Sequence, residues 1–502
     1  MDAKVRITAQ TLPIRPGFAS TKRRAFQVSA KRELGRCDLS SQRLYLLEEP
    51  MEQTIPRLLI AGTNSGCGKT TLVCGILRAL HDRGVAVASF KCGPDYIDPM
   101  FHSRILDTKC RNLDLQFFPE NTLRYLFAQG CQNAQLGIIE GVMGYYDGVS
   151  LSTKASSYEI SKATATPTVL VVNARGAAHS LLAVISGFAS LHPDSNVRGV
   201  IFNNCSSMLY PRLEEAVLSC FSGRIRPLGF LPPMPECRLE SRHLGLITAG
   251  EIQDLQETMG KLAAQAEKTV KLDELLSLAA SAPELSWEPV SLPRPGEPVP
   301  IAVAMDPAFC FYYEDNLRLL EHLGARLVPF SPLKDPCLPE NVRGLYLGGG
   351  YPELYTKELS QNTGMLQSIR HALKEKLPCI AECGGFLYLQ KTLLGKPMVG
   401  HLPGDGFDSG HLVRFGYVSL TAREDNLLCA AGETIPAHEF HYYDVDHPGS
   451  AFTARKETGR EWDCGFATDT LYAGFPHFHF YAKPEMASRF LDACRKERKN
   501  HV

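Results

Sequence analysis

Residues 57–71 read Arg-Leu-Leu-Ile-Ala-Gly-Thr-Asn-Ser-Gly-Cys-Gly-Lys-Thr-Thr, an apolar run that ends in glycine and opens into a Gly-rich turn. Such a run suits a buried parallel strand, whose two faces are both covered. Beyond the turn, Leu72, Val73, Ile76, Leu77 and Leu80 recur at helical spacing, which predicts a helix over Thr70–Leu80 with Gly84 as its stop. Strand, turn and helix in this order gather backbone N–H groups and the positive end of a helix at one point, and a phosphate fits there. Asn64, Ser65, Gly66, Gly68, Lys69, Thr70 and Thr71 are therefore the expected nucleotide-binding residues. Lys69 would reach the β- and γ-phosphates of ATP, and the Thr70 hydroxyl would ligate Mg²⁺. The spacing departs from the strict phosphate-loop pattern, because Gly62 falls one position early and Thr63 stands where glycine is usual. The strand-to-helix context and the intact Gly-Lys-Thr-Thr compensate.

Outward from this stretch, Val85–Phe90, Leu136–Ile139, Thr168–Val172 and Val197–Phe202 read as further buried strands, each separated by enough chain for a helical crossover. That alternation predicts a parallel α/β sheet. Ligands of such sheets gather at the carboxyl ends of the strands. Residues 91–99 (Lys-Cys-Gly-Pro-Asp-Tyr-Ile-Asp-Pro) and Glu140, which directly follows an apolar run, would then lie beside the phosphate loop. Asp98 and Glu140 join Thr70 as expected Mg²⁺ ligands, since Mg²⁺ takes few, hard oxygen ligands from protein. Each acid also has an ordinary reading as a turn residue or helix cap.

Residues 281–299 are Pro-rich and predict an extended connector. After it, Ile301–Ala304, Gly344–Leu347 and Pro378–Ala381 open a second strand–helix series. The expected fold is α/β with two domains, a P-loop parallel-sheet domain over 51–280 and a second over 300–502. Residues 379–386 (Cys-Ile-Ala-Glu-Cys-Gly-Gly-Phe) read as strand, sharp turn and helix, a nucleophile elbow that exposes Cys383 and depresses its thiol pKa at a helix N-terminus. Within Phe475–Phe480, His477 is the candidate base. The bare backbone at Gly349 and Gly350, with Gly384, is the expected oxyanion hole. His438-Glu439-Phe440-His441 looks metal-like, but its two histidines are three apart rather than four, and it reads as a structural or substrate-side segment.

The bulk properties exclude several classes. Among 502 residues, 44% are hydrophobic and 21% charged, and the formal net charge of -1 gives no pull toward nucleic acid or an anionic membrane. No apolar run approaches the roughly 18 residues of a membrane span. The 16 cysteines form no paired CxxC pattern, so no zinc site is signalled and thiols in a reducing compartment are expected. Residues 1–32 carry eight basic residues against Asp2 alone, an organelle-type transit composition pointing to plastid or mitochondrion. Residues 1–50 are left out of the fold argument.

The ordered set of residues 62–71, 91–99, 140–148, Arg242–Leu246, 348–353, 383–385, 438–441 and 477–480 resembles the cobyrinic acid a,c-diamide synthase family over residues 56 to 495. The resemblance implies a dethiobiotin synthetase-like P-loop domain and a flavodoxin-like, class I-type glutamine amidotransferase domain. It implies that Cys383, with His477 as base, frees ammonia from L-glutamine. ATP would phosphorylate the a and c acetate carboxylates of cobyrinic acid or a related tetrapyrrole polycarboxylate, and ammonia would displace phosphate. Asp95 and Tyr96 would face that substrate. The family reading leaves room for a homodimer. Two departures stand out: His479 occupies the place of the Glu in the usual His-x-Glu, and the basic extension is unlike bacterial members. The alternatives are amidation of a nickel-sirohydrochlorin or a cobyric acid precursor, and a P-loop regulatory protein with a relic glutaminase domain.

Overall fold

The computed structural model describes residues 50–107, 109–237 and 255–496. The basic extension over 1–32 and the Arg242–Leu246 segment lie outside the described residues. The Leu58–Ala61 run is fully buried, as its composition requires, and forms the centre of a seven-stranded sheet. In spatial order the strands are Arg111–Leu113, Val87–Cys92, Leu136–Gly144, Arg57–Gly62, Thr168–Asn173, Val197–Asn203 and Arg226–Leu231. Every neighbouring pair is parallel. All carboxyl ends therefore share one edge, and the chain reverses its direction of travel across the sheet beside Arg57–Gly62.

The first helix spans Lys69–Asp82 and stops where Gly84 takes φ 75°. Its apolar face, with Leu72, Val73 and Ile76, packs with Met259, Leu262 and Ala266 of the helix Leu255–Thr269. One strand runs further than expected. Leu136–Gly144 continues through Glu140 instead of ending before it. The carboxylate can be buried there because a lysine, a histidine and a hydroxyl meet it, as described below, so the strand need not break to keep it in water.

A second sheet carries Val299–Ala304, Ala325–Phe330, Gly344–Leu347, Cys379–Glu382 and Leu471–Gly474, all parallel, with Phe466–Ala467 antiparallel at one edge. Numbered along the chain, the five parallel strands lie in the order 2-1-3-4-5, the flavodoxin-like arrangement. A separate antiparallel sheet contains the paired strands Arg414–Ala422 and Thr434–His441. Within the Pro-rich stretch, Leu285–Trp287 pairs antiparallel with Met51–Gln53. No helix among the described residues is long and apolar enough to cross a membrane.

The two halves meet along an aromatic and charged seam. Arg111 Nη1 lies 3.0 Å from Asp315 Oδ1, with both side chains buried. Tyr417 donates to Asp114 Oδ2 at 2.8 Å, and the Lys154 ammonium pairs with Glu457. Phe117 packs edge-on against Tyr313 and Tyr417.

Candidate functional site

At the carboxyl edge of the seven-stranded sheet, the turn after Gly62 is held by its neighbours. Gly66 and Gly68 take φ 76° and 91°. Asn203, at the end of a strand two positions away, donates to the Cys67 carbonyl at 2.8 Å, and a Cβ on Gly68 would sit 2.0 Å from that amide nitrogen. Lys69 Nζ reaches back over the turn to the carbonyls of Asn64 (3.2 Å) and Met143 (2.5 Å). Burial holds its ammonium pKa below the usual value.

Thr70, Asp98 and Glu140 do converge. The Thr70 hydroxyl donates to Glu140 Oε1 at 2.7 Å and to Asp98 Oδ2 at 3.2 Å. The sequence reading missed what sits among them. Lys91 Nζ is 3.0 Å from Glu140 Oε1 and also pairs with Asp98. On the other side, His102 Nε2 is 2.7 Å from Glu140 Oε2, with His102 fully buried. Burial alone would raise the Glu140 pKa, but Lys91, His102 and Thr70 outweigh it and hold the carboxyl well below its ordinary value. Asp98 is pushed up to about 7 by burial, against the pull of Lys91. Two carboxylates and a hydroxyl are hard oxygen donors that fit Mg²⁺. Among the described residues no group of three His, Cys, Asp or Glu could hold an ion by itself, so the ion would be shared with phosphates and water. Asp95 closes a turn and pairs: its Oδ1 accepts from Ile97 N at 2.8 Å, and its Oδ2 lies 3.9 Å from Lys91 Nζ. The Tyr96 side chain reaches across to the other half. Its ring stacks on Phe311 and Tyr313 and meets the His477 ring at 5.1 Å.

The second half builds the elbow as expected. Cys383 takes φ 48° and ψ −98°, a strained pair for a non-glycine residue, between the strand Cys379–Glu382 and the helix Gly384–Leu389. The two glycines after it are needed for close approach. A Cβ on Gly384 would lie 3.0 Å from Gly350 N, and one on Gly385 2.3 Å from Leu347 O. The thiol expectation fails. Burial pushes the Cys383 pKa up, with Glu353 adding to it, and the Gly384 N–H offsets only part of this. At this depth the loss of water outweighs the N-terminus of the helix Gly384–Leu389.

His477 is brought to the same corner: a Cβ on Gly349 would be 2.5 Å from its Cε1. Its Nδ1 lies 3.4 Å from Glu382 Oε2, and its backbone exchanges two hydrogen bonds with His438. Among the described residues no hydrogen bond joins His477 to Cys383. His477 lines a cavity of about 590 Å³ that both halves build, with Asp95, Tyr96 and Met143 from one and Tyr417 and His438 from the other. Cys383 lines a neighbouring cavity of about 280 Å³ with Gly350. Ile97, Phe311 and Phe440 are common to both walls.

His479 explains the missing His-x-Glu acid. It is buried against Phe118 and Tyr313, and neither ring nitrogen finds a partner among the described residues, so it is packing. Glu382, one residue before the nucleophile, supplies a buried carboxylate to His477 instead. No local pattern announces this, because the two residues are 95 apart in sequence. Gly349→Ala should displace the His477 ring. We expect about a 100-fold loss of glutamine-driven turnover with ammonia-driven turnover retained, measured side by side.

With this geometry in view, family models match both halves: the CobQ/CobB/MinD/ParA nucleotide binding domain over residues 58–247 and the CobB/CobQ-like glutamine amidotransferase domain over 300–485. Cobyrinate a,c-diamide synthase of Clostridium acetobutylicum is 39% identical over 430 residues, covering 84% of this chain and 97% of that protein. The chain belongs to the cobyrinate a,c-diamide synthase family. The same-named protein of Salmonella typhimurium is 39% identical, covering 87% of this chain and 98% of its own, and that of Thermoplasma volcanium 36%, covering 88% and 97%. Cys383–Gly385 and the phosphate turn both fall inside the matched domains of this family.

Proposed function

We propose that the chain amidates the a and c acetate carboxylates of cobyrinic acid, or of a closely related tetrapyrrole, using ATP and glutamine. The observation that carries this reading is the larger cavity. It is walled by the Asp95–Ile97 segment and Met143, whose carbonyl holds Lys69, and by His477 from the other half. Residues 51–280 are the ligase domain in this reading, 281–299 the linker and 300–502 the glutaminase domain.

On the ligase side, a substrate carboxylate oxygen attacks the γ-phosphorus of ATP and ADP leaves, which turns a poor leaving group into phosphate. Asn64 through Thr71 cradle the phosphates, Lys69 offsets their charge, and Asp95 and Tyr96 face the macrocycle. Thr70, Asp98 and Glu140 would hold Mg²⁺, which neutralises phosphate charge when bound.

On the glutaminase side, Cys383 Sγ attacks the glutamine carboxamide. Its proton passes by way of His477 to the departing ammonia, and water then releases glutamate from the thioester. Glu382 keeps the His477 imidazole in orientation. The Gly349–Gly350 and Gly384 N–H groups stabilise the oxyanion. Glutamine binding completes the approach of His477 to the thiol, since such bonds tighten in the loaded complex. Ammonia then attacks the acyl phosphate and phosphate leaves.

Mass spectrometry tests this with cobyrinic acid, a nickel-sirohydrochlorin and a cobyric acid precursor, each with ATP, Mg²⁺ and glutamine. We expect conversion of two carboxylates of cobyrinic acid to amides. Glutamate release with no mass change in any macrocycle would overturn the reading.

A further inference from the structure

The smaller cavity holds more than the nucleophile. Beside Cys383, its wall contains Glu353, Asp408 and His441, and no lysine or arginine lines it. His441 ends the strand Thr434–His441, in the segment whose histidine spacing looked metal-like. Its Nδ1 lies 2.7 Å from the Tyr443 carbonyl, an atom that only accepts, so Nδ1 carries the proton and Nε2 bears a lone pair. The ring is stacked flat on Phe475 at 3.7 Å, which fixes its plane. His441 is 6% exposed, and Nε2 finds no hydrogen-bond partner among the described residues. A buried acceptor left this way costs free energy unless something donates to it.

The carboxylates point to what donates. Glu353 follows the oxyanion backbone directly, and burial together with the nearby Asp408 charge pushes its pKa up to about 8. One Asp408 oxygen is held by Gly410 N at 2.8 Å, and its side chain is the more exposed of the two. Two carboxyl groups and the edge of an imidazole on one cavity wall that carries no lysine or arginine ask for a compact group rich in N–H, with Arg414 lying outside that wall in the strand opposite His441. We propose that Glu353, Asp408 and His441 bind the α-ammonium of L-glutamine, so that the site reads a free amino acid rather than any primary carboxamide.

This rests on the glutaminase reading of Cys383. The α-ammonium lies at the far end of glutamine from the carboxamide carbon. A carboxylate pair that anchors it sets how deeply the side chain reaches toward the thiol. An ammonium ion released in the reaction has the same chemistry, so the test must separate the two sources.

The test compares release of ammonia from L-glutamine and from glutaramate, which is glutamine without its α-amino group, using the full chain with and without ATP. The wild type should prefer L-glutamine. In Glu353→Gln that preference should fall roughly 10- to 100-fold through a higher KM for glutamine, the range for one charge-assisted hydrogen bond. Asp408→Asn, at an exposed position that cannot unfold the core, should shift it in the same direction and decides the matter if Glu353→Gln does not fold. Equal losses for both substrates would overturn the proposal and make the acids scaffold. Competition by ammonium chloride in the wild type, at concentrations near the KM for glutamine, would overturn it in favour of a free-ion site. The readout needs no macrocycle, so it stands apart from whether any tetrapyrrole is amidated.

Discussion

Cys383→Ser should leave the protein able to amidate from free ammonia and unable to use glutamine. The variant keeps the elbow, since Ser is the closest replacement in size for a residue held at φ 48°. The hydroxyl, however, is a far weaker acid than a thiol, and no strong base touches that atom. We expect glutamine-driven turnover to fall about 10⁴-fold or more, as for removal of a catalytic nucleophile in general. Ammonium chloride bypasses the smaller cavity and delivers ammonia to the larger one. Amide formation with each nitrogen source, measured on one preparation, checks both halves of the claim. Retained glutamine use would move the nucleophile elsewhere. Loss with both sources would mean that the elbow also shapes the ligase cavity.

The second large effect should come from Glu140→Gln, and it should strike stability as well as activity. Glu140 is fully buried and its two oxygens serve Thr70, Lys91 and His102. Lys91 and His102 are buried too, at 3% and 0% exposure. Taking one negative charge out of this group leaves the buried Lys91 ammonium and the buried His102 imidazole facing an amide. Breaking a buried pair in this way costs about 3–5 kcal/mol. Turnover should fall at least about 100-fold with glutamine and with ammonia alike, since both routes need the activated carboxylate. Denaturant midpoints and the two assays together separate this variant from Cys383→Ser, which should unfold like the wild type.

The parts of the protein legible in sequence are those that local chain chemistry decides. The phosphate turn, the helix after it, the central strands of both sheets and the Cys383 elbow each depend on residues within a few positions of one another, whereas the flanking strands Arg111–Leu113, Arg226–Leu231, Ala325–Phe330 and Leu471–Gly474 carry no such local signal. The observed Lys69–Asp82 and Cys379–Glu382 differ from expectation only at their ends. What could not be read depends on distance. The role of Lys91 has no local signature, because its partner Glu140 is 49 residues away. The acid that meets His477 is not in a His-x-Glu pattern but is Glu382, just before the nucleophile in the chain. The direction of the Cys383 shift is set by burial, which is likewise non-local. A helix N-terminus can be seen in sequence, but the depth of burial around it cannot.

The Arg111–Asp315 contact constrains how the molecule can move. Swinging the two halves apart like a clamshell would strip a buried guanidinium from its buried carboxylate, and it would break the Tyr417–Asp114 bond in the same stroke. Such a hinge is energetically steep. A bulky guest would instead enter past exposed wall residues such as Phe415, which lines the cavity and is 55% exposed. Traffic in and out of the chamber should then be limited by side-chain rotation and strand-tip fluctuation, not by separation of whole lobes.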